Sequence, residues 1–206
     1  TLEGELTTGE TSGNIRPSSL SGWINRGCNI DFGKVKCGSA EIFGHVFEVW
    51  LGELVEDARL VEIALDSARF ISRHLFTQAD GRRFYAYIPG EVAFVHNASL
   101  WGAAWCSFAG AKLGDQELVE QARDVARESV AGQAENGSWV YGARHHHQFI
   151  DGFHTGYNLE ALCILRDALQ TDEFDACINK GYRYYVDTFF ESDGTAKYYN
   201  HSVYPI

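Results

Sequence analysis

The chain has 206 residues, of which 45% are hydrophobic, and this is enough to form one globular domain with a sizeable core. The formal net charge is −11, which argues against a nucleic-acid partner because nucleic-acid-binding proteins usually present a basic surface. No apolar run is long enough to cross a membrane, so we expect no membrane span.

The N-terminal part of the sequence gives little structural information. Residues 1–40 contain Gly, Ser and Asn without a clear period, so we expect an irregular N-terminal segment there and a repeat domain over 41–206. A charged-then-apolar leader is not evident, which favours a cytoplasmic location, although the chain starts at Thr1 without an initiator Met.

The five cysteines favour free thiols over a disulfide framework. Their number is odd, and Cys106, Cys163 and Cys177 lie in apolar, helix-like sequence. We therefore expect buried thiols in a reducing compartment. A disulfide or a metal site at Cys28 and Cys37 remains open, but their spacing matches no common zinc pattern.

Three segments of the chain resemble one another. Each contains an acidic turn, an amphipathic helix pattern, an Asp-Gly or Asn-Gly turn and then aromatic residues. The turn glycines are Gly81, Gly137 and Gly194, which are almost evenly spaced along the chain. A nearly fixed period of this length indicates a repeat architecture.

Each repeat unit also contains an earlier, more apolar helix. We predict these inner helices over 41–55, 97–113 and 155–170. The second is apolar nearly all round, which is typical of a helix buried on most sides. The partner helix over 116–133 is charged with one apolar stripe, so we place it outside. The predicted fold class is all-α, built from repeated αα-hairpins.

The connections between helices alternate in length. The turn at Gly114-Asp115 is short, whereas the connections over 77–95 and 134–153 are long. Because the short turns occupy one end of antiparallel hairpins, the long loops must gather at the other end. Long loops in a compact domain are usually functional, so we expect the site at the end that holds the inner-helix N-termini.

Two histidines precede inner helices on this long-loop face. His96 stands before Asn97 and His154 stands before Thr155, and both following residues are good N-caps. The interval between the two histidines is nearly the same as the interval between successive turn glycines, so it matches the repeat. Two functions remain open: imidazoles that fix the loops, or imidazoles that hold or act on a substrate.

The run His145-His146-His147 lies on the same face. Consecutive side chains point about 100° apart on a helix and alternate on a strand, so three successive histidines do not converge on a metal ion. We interpret the run as an exposed loop tip rather than a set of metal ligands. We expect neither a metal nor another cofactor.

Other side chains on the long-loop face suit a carbohydrate. Aromatic rings stack on the apolar faces of sugars, and basic groups pair with acidic sugars. Glycoside hydrolysis usually needs two carboxylates, for which Asp151 and Glu91 are the loop candidates. The predicted substrate-binding residues are Asn97, Trp139, Tyr141, Arg144, Glu91, Lys197 and Tyr198.

Several segments resemble a known family. VHNASLWGAA, NGSWVYG, IDGFHTGYNLEAL and GYRYYVDTFFESDGTAKYY, with the terminal YPI, are similar to bacterial polysaccharide-biosynthesis proteins of the VpsJ type. The resemblance covers about residues 70–206, and FHTGYNLEAL is its most specific part. It implies membership of the wider α/α-toroid, six-hairpin group of carbohydrate-active proteins, which includes hydrolases, lyases and epimerases.

The resemblance implies a carbohydrate-active protein that works on an exopolysaccharide or its oligosaccharide precursor. Hydrolysis, elimination and epimerisation remain open, as does a non-catalytic glycan-binding or assembly module. An isoprenoid-cyclase-like toroid would need acidic clusters such as D-D-x-x-D, which the sequence lacks. Three hairpins are half of a six-hairpin ring, so we expect an incomplete toroid whose core a missing segment or a second chain completes.

One concave pocket at the long-loop end is expected to hold the catalytic residues His96, Asp151, His154 and Tyr157. Successive inner helices pack side by side, so their first turns should face the same space. Tyr157 lies one turn beyond His154, and Asp151 can reach back to the His154 ring. We expect Trp139 or Tyr141 on the wall of this pocket.

Overall fold

The computed structural model describes Glu53 and residues 56–202 of the chain. These residues form five α-helices and one small β-hairpin. The helices are α1 (Ala58–Phe70), α2 (His96–Leu113), α3 (Gln116–Ala131), α4 (Gly152–Leu169) and α5 (Asp175–Phe189). The strands are β1 (Phe76–Ala79) and β2 (Arg82–Tyr85). The predicted segment 1–40, nearly all of the predicted inner helix 41–55 and the terminal YPI lie outside the described residues.

Helix α2 lies at the centre of the described part of the chain and packs against α1, α3 and α4. Its sequence, HNASLWGAAWCSFAGAKL, is apolar or small at most positions, so no face strongly prefers water. Trp101 and Trp105 are each 1% exposed and are among the largest side chains of the core. The prediction of an inner helix buried on most sides is confirmed. Among residues 56–202, no helix is long and apolar enough to cross a membrane.

The outer helix α3 is amphipathic and joins α2 through a short turn. Gly114 adopts the left-handed conformation (φ +66°) that ends α2. The Asp115 carboxylate then accepts a hydrogen bond from Leu118 N at 3.1 Å and begins α3. The predicted αα-hairpin and its short turn are confirmed, and α4 and α5 form a second such pair.

The repeat is visible in the backbone hydrogen bonds. In the turn after α3, Gly137 N donates to Ala134 O at 2.9 Å. In the turn after α5, Gly194 N donates to Glu191 O at the same distance. Both glycines have a positive φ, which glycine adopts without strain. The period in the sequence is therefore also a period of the structure.

The loop after each outer helix returns to the first residue of the inner helix in the same hairpin. His96 N, at the start of α2, donates to Tyr141 O at 3.2 Å. Gly152 N, at the start of α4, donates to Tyr198 O at 2.9 Å. The long loops and the inner-helix N-termini therefore share one end of the hairpins, as the loop lengths predict.

The first long connection contains the β-hairpin. Strands β1 and β2 are antiparallel, with Ala79 opposite Arg82, and the turn residues Asp80 and Gly81 have φ of +51° and +74°. Positive φ at both central residues is typical of a type I′ turn. The sequence predicts this turn but not the strands, because four residues on each side are too few to display alternation.

The predicted N-cap residues are not the residues that cap the inner helices. Helix α2 begins after Val95, which makes no side-chain cap, and Asn97 lies inside the first turn. Helix α4 begins after Asp151, and the Thr155 hydroxyl, in the first turn, donates to Asp151 O at 2.6 Å. Both helices start earlier than predicted because backbone pairing with the returning loops sets their first residues.

Three cysteines are free thiols, as the sequence predicts: Cys106, Cys163 and Cys177. Burial raises the pKa of Cys106 to about 12 and the pKa of Cys177 to about 11. Both thiols therefore stay protonated and unreactive at neutral pH. Cys28 and Cys37 lie outside the described residues.

Two glycines within helices test how tightly the elements pack. A methyl group at Gly102 would lie 2.9 Å from the Tyr85 ring, whereas one at Gly156 would meet nothing closer than 3.6 Å. We expect Gly102→Ala to lower the free energy of unfolding by about 1–3 kcal/mol, because overpacking outweighs the gain in helix propensity. Gly156→Ala is the matched control and should raise it by up to about 1 kcal/mol. Urea unfolding followed by circular dichroism measures both, and a fully stable Gly102→Ala protein would contradict the close contact.

Candidate functional site

Asp151 and His154 form a hydrogen-bonded pair at the start of α4. The sequence DGFH places a short carboxylate at the N-cap and an imidazole three residues later, which is about one helical turn. Oδ1 of Asp151 accepts a hydrogen bond from His154 N at 2.7 Å, and Oδ2 lies 2.7 Å from Nδ1 of the His154 ring. The contact between these side chains that the sequence predicts is present.

Burial holds this pair in one arrangement. The Asp151 side chain is 1% exposed, and both of its oxygens are engaged with His154. A carboxylate accepts hydrogen bonds, so this contact assigns a proton to Nδ1 of the ring. The N-terminus of α4 adds a potential that favours the negative charge of Asp151.

The other ring nitrogen of His154, Nε2, is available for chemistry. The side chain is 21% exposed, and Nε2 has no hydrogen-bond partner among the residues that the structure describes. In the tautomer whose Nδ1–H is held by the carboxylate, Nε2 carries the lone pair of the ring. Such a group can accept a proton from a substrate and return it, while Asp151 stabilises the imidazolium.

Aromatic rings surround the imidazole. The ring centroid of Tyr141 lies 4.5 Å from that of His154, that of Phe153 5.4 Å and that of Phe149 6.3 Å. Tyr141 and Phe149 come from the loop that joins α3 to α4, and Phe153 comes from α4 itself. Phe153 is 49% exposed, so an apolar ring suited to stacking on a sugar faces solvent beside His154.

Two tyrosines extend this aromatic cluster. Tyr198 is 38% exposed, and its pKa is raised by partial burial and by the charge of Asp151. Its hydroxyl therefore keeps its proton at neutral pH. Tyr157 contacts Phe153, with 4.6 Å between ring centroids, and Trp101, with 5.8 Å. Tyr157 thus joins the cluster through Phe153.

His96 does not share a pocket with His154, contrary to the prediction from the sequence. The two inner helices begin at His96 and Gly152, so the interval between the histidines is longer than the interval between the helix starts. His96 is the first residue of α2, whereas His154 is the third residue of α4. Two positions correspond to about 200° of rotation around a helix, so the two imidazoles point in different directions.

His96 lines a cavity of its own, of about 320 Å³, whose lining includes none of Asp151, His154 and Tyr157. The His96 side chain is almost fully buried and packs edge-on against Phe94, with 4.6 Å between ring centroids. Burial, together with the charge of Arg82, lowers the pKa of His96 from 6.5 to about 4. The imidazole of His96 is therefore neutral at pH 7.

Two predicted substrate-binding residues are buried. Asn97 is 4% exposed inside the first turn of α2. Trp139 is 2% exposed, its Nε1 donates to Ser129 O at 2.9 Å, and its ring lies directly against Gly181. The indole of Trp139 anchors the loop after α3 because it fills core space and its N–H has a partner. The aromatic wall beside His154 is formed by Tyr141 instead.

The charged residues that the sequence predicts to bind substrate form ion pairs within the protein. Nη2 of Arg144 lies 2.7 Å from Oε1 of Glu91, and Nζ of Lys197 lies 3.4 Å from Oε1 of Glu191. Glu91 also accepts hydrogen bonds from the backbone N–H of Ala93 and of the residue before it, and these hold its pKa below the usual range. Glu91 therefore stays ionised and fixes two loops together.

The run His145–His147 forms one turn of 3-10 helix at the protein surface. His145 and His146 are exposed, which confirms the interpretation as a loop tip for these two residues. His147 is partly buried against Tyr141, with 5.0 Å between ring centroids. Within residues 56–202, no three His, Cys, Asp or Glu side chains are grouped so that they could hold a metal ion.

The sequence places several residues of these two sites on the long-loop face without giving them a role. Phe149 and Phe153 are among the aromatic residues of that face, and the structure adds that both rings lie beside His154. Arg82 is likewise expected on that face, but the sequence gives no indication that Glu128 lies beside His96, because Glu128 belongs to α3 and meets the start of α2 only in the folded chain.

Comparison with solved structures defines the class of fold. The chain is similar to a GH76 α-mannanase of Bacteroides thetaiotaomicron, with a TM-score of 0.66, 12% identity, and coverage of 88% of this chain and 55% of the mannanase. It is similar to an unsaturated glucuronyl hydrolase from Bacillus sp. GL1, with a TM-score of 0.61, 17% identity, and coverage of 77% and 48%. A polysaccharide lyase gives a TM-score of 0.64, 15% identity, and coverage of 92% and 57%.

These similarities establish an α/α-toroid, glycosidase-like fold, which agrees with the αα-hairpins that the repeat predicts and with the toroid that the sequence resemblance implies. The chain spans about half the length of the solved structures that it resembles. No family model and no curated protein sequence matches the chain. The similarity to the VpsJ-type family therefore stays a prediction from the sequence.

The buried His96 predicts a pH dependence of stability. Because its pKa is about 4 in the folded chain and 6.5 is the ordinary value, the unfolded chain binds this proton more readily. The contribution of the neutral His96 ring to the free energy of unfolding is therefore fully present well above pH 6.5. About 3 kcal/mol of it is lost as the pH falls to 4. Denaturant unfolding between pH 7 and pH 4 measures this loss.

His96→Phe keeps a ring of similar shape without a titrating nitrogen, so its stability should fall less steeply over the same pH range. The exposed His145 provides the control, since His145→Gln should leave the wild-type profile unchanged. Parallel profiles for wild type and His96→Phe would show that His96 is solvated in the folded protein.

Proposed function

We propose that this protein is a carbohydrate-active enzyme of exopolysaccharide metabolism in which His154 transfers protons and Asp151 orients it. The observation that carries the proposal is the 2.7 Å contact between Nδ1 of His154 and the buried carboxylate of Asp151. This pairing fixes the tautomer of the imidazole and leaves Nε2 as a base beside exposed aromatic rings. The similarity in fold to a mannanase, a glucuronyl hydrolase and a polysaccharide lyase supports a glycan as the substrate.

The carboxylates near the pair favour proton transfer at carbon over hydrolysis. Hydrolysis usually needs two carboxyl groups on either side of the glycosidic bond. Both oxygens of Asp151 are engaged with His154, and Glu91 is paired with Arg144. Two other acids lie on this helix: Asp167, which is paired with Arg166, and Glu160, whose pKa is raised because neighbouring atoms partly desolvate it. We therefore propose elimination or epimerisation at a uronic acid, in which an imidazole base is sufficient.

In an elimination, Nε2 of His154 would take the proton from the carbon beside the sugar carboxylate. The electron pair of that C–H bond forms the new double bond, and the bond from the neighbouring carbon to the glycosidic oxygen breaks. The leaving oxygen then needs a proton, for which the protonated Tyr198 is the candidate donor. In an epimerisation the same carbon is reprotonated from the opposite side of the ring.

An assay of glycan products separates these reactions. The full-length protein is incubated with a panel of neutral and uronic-acid-containing polysaccharides. Elimination gives unsaturated ends that absorb ultraviolet light, hydrolysis gives reducing ends without unsaturation, and epimerisation in deuterated water gives exchange at carbon without cleavage. No turnover on any glycan would contradict the enzymatic proposal.

Substitution of the pair tests its role directly. We expect His154→Gln to lower kcat by about 10²–10⁴-fold, since this is the usual contribution of a general acid–base group. Asp151→Asn should also lower kcat strongly, because an amide can donate to Nδ1 and would place the proton on Nε2. Asn remains a good N-cap, so the helix should persist.

The matched control for Asp151→Asn is Asp115→Asn. Asp115 caps α3 in the same way, through its side chain and Leu118 N, but no histidine of the described part of the chain pairs with it. The Asp115→Asn substitution should leave kcat unchanged, while its effect on the free energy of unfolding resembles that of Asp151→Asn. Equal losses of activity in the two variants would assign to Asp151 a role in helix capping alone.

The exposed aromatic rings also favour a second candidate function, a non-catalytic glycan-binding module. In that case Phe153→Ala should weaken glycan binding by about tenfold or more, since the ring stacks on the sugar. His154→Gln should leave binding nearly unchanged. Titration calorimetry with the same glycan panel measures both, and loss of turnover without loss of binding in His154→Gln would favour the enzyme over the module.

A further inference from the structure

We propose that the cavity beside His96 is a binding site for one neutral sugar unit, separate from the Asp151–His154 pair. The choice of a sugar as the ligand rests on the proposed function, whereas the existence of the site rests on the geometry of the cavity. The volume of about 320 Å³ lies at the small end of the range of ligand pockets, which is about 300–1,000 Å³. It suits a single ring rather than an extended chain.

Comparison of the two hairpins shows which side chains border this space. His96 begins α2, and its ring lies against Gly132 at the end of α3, where an added methyl group would be 2.6 Å from the ring. In the next hairpin the sizes are exchanged: Gly152 begins α4 and lies against the ring of Phe189 at the end of α5. Phe189 is 1% exposed and closes this place with an apolar ring, whereas in the first hairpin the polar ring of His96 lies on Gly132 and both residues line the cavity.

Two polar groups of the cavity lack partners among the residues that the structure describes. Nδ1 of His96 is buried without a hydrogen bond, which is costly for a polar atom at this depth. The Arg82 guanidinium lies 5.3 Å from the centroid of the Phe94 ring and has no carboxylate partner among the described residues. Glu128 also lines the cavity, and its carboxylate accepts a hydrogen bond from Arg83 N at 3.3 Å.

The charges in the cavity favour a neutral ligand with several hydroxyl groups. Arg82 contributes one positive charge and Glu128 one negative charge, and His96 is neutral at pH 7. Hydroxyl groups can accept from Arg82, donate to Glu128 and pair with His96 at the same time. A sugar carboxylate would instead bring a second negative charge toward Glu128. Phe94 and Val140 add the apolar surface that the C–H face of a sugar prefers.

Titration of the purified full chain with methyl glycosides of glucose, galactose and mannose tests the site, with methyl glucuronide as the charged comparison. A single ring makes few contacts, so a Kd on the order of 1 mM is expected for at least one neutral glycoside. Ligand-detected NMR measures this affinity. Glu128→Gln should weaken binding by roughly tenfold, because a hydrogen bond to a charged acceptor is replaced by a neutral one. His96→Phe, which keeps the ring and removes both nitrogens, should weaken binding by a similar factor.

Glu117→Gln on the exposed surface of α3 is the matched control and should leave the affinity unchanged. If His96→Phe fails to fold, the comparison of Glu128→Gln with Glu117→Gln still shows whether the glycoside binds in the cavity. Three results would overturn the inference: no saturable binding of a neutral glycoside, equal affinities in Glu128→Gln and wild type, or preferential binding of the glucuronide. The first of these would indicate a cavity that holds water only.

The His154→Gln variant distinguishes this inference from the proposed function. It should lose glycan turnover but bind the methyl glycoside as wild type does. Turnover of polysaccharides without glycoside binding at the cavity would refute the inference and leave the proposed function intact. Glycoside binding that depends on Glu128, with no turnover on any glycan, would refute the proposed enzyme and leave the cavity site intact.

Discussion

The return of each long loop to the first residue of an inner helix is the contact on which the rest of the structure depends. A helix start has N–H groups without partners inside the helix, and here the carbonyl oxygens of Tyr141 and Tyr198 accept from them. These hydrogen bonds gather the loops at one end and decide where α2 and α4 begin. They also bring Tyr141 from one hairpin against His154 of the next, so the site is built across the repeat.

The two hairpins share one backbone arrangement but carry different side chains at equivalent positions. The residue that begins the inner helix is His96 in one unit and Gly152 in the next, and the facing residues are Gly132 and Phe189. Each hairpin therefore packs one ring on one glycine, but the polar ring of His96 lines a cavity, whereas the apolar ring of Phe189 is enclosed in the core. The repeat therefore provides two different environments, a solvent-facing imidazole held by Asp151 and a buried, neutral imidazole beside Arg82.

Asp151 combines two functions that are usually separate. Its Oδ1 caps α4, and its Oδ2 holds the ring of His154, so the geometry of the pair is as rigid as the helix start itself. A site on a helix terminus is positioned more reliably than one on a free loop. The cost is that this carboxylate is no longer available as an acid, which limits the chemistry to what an imidazole and nearby tyrosines can do.

Sequence periodicity determined the hairpins, the burial of α2, the short turn at Gly114-Asp115 and the end at which the long loops gather. It also determined the contact between Asp151 and His154, because their separation along the helix is a local distance. The sequence misplaced His96, since a small difference in helix register cannot be read from spacing yet here rotates a side chain by about 200°. Burial of Trp139 and Asn97, pairing of Arg144 with Glu91, and the cavity beside His96 were decided only by tertiary structure. Each of these contacts depends on which side chain a loop or helix distant in sequence brings to the residue. No local sequence pattern specifies that partner.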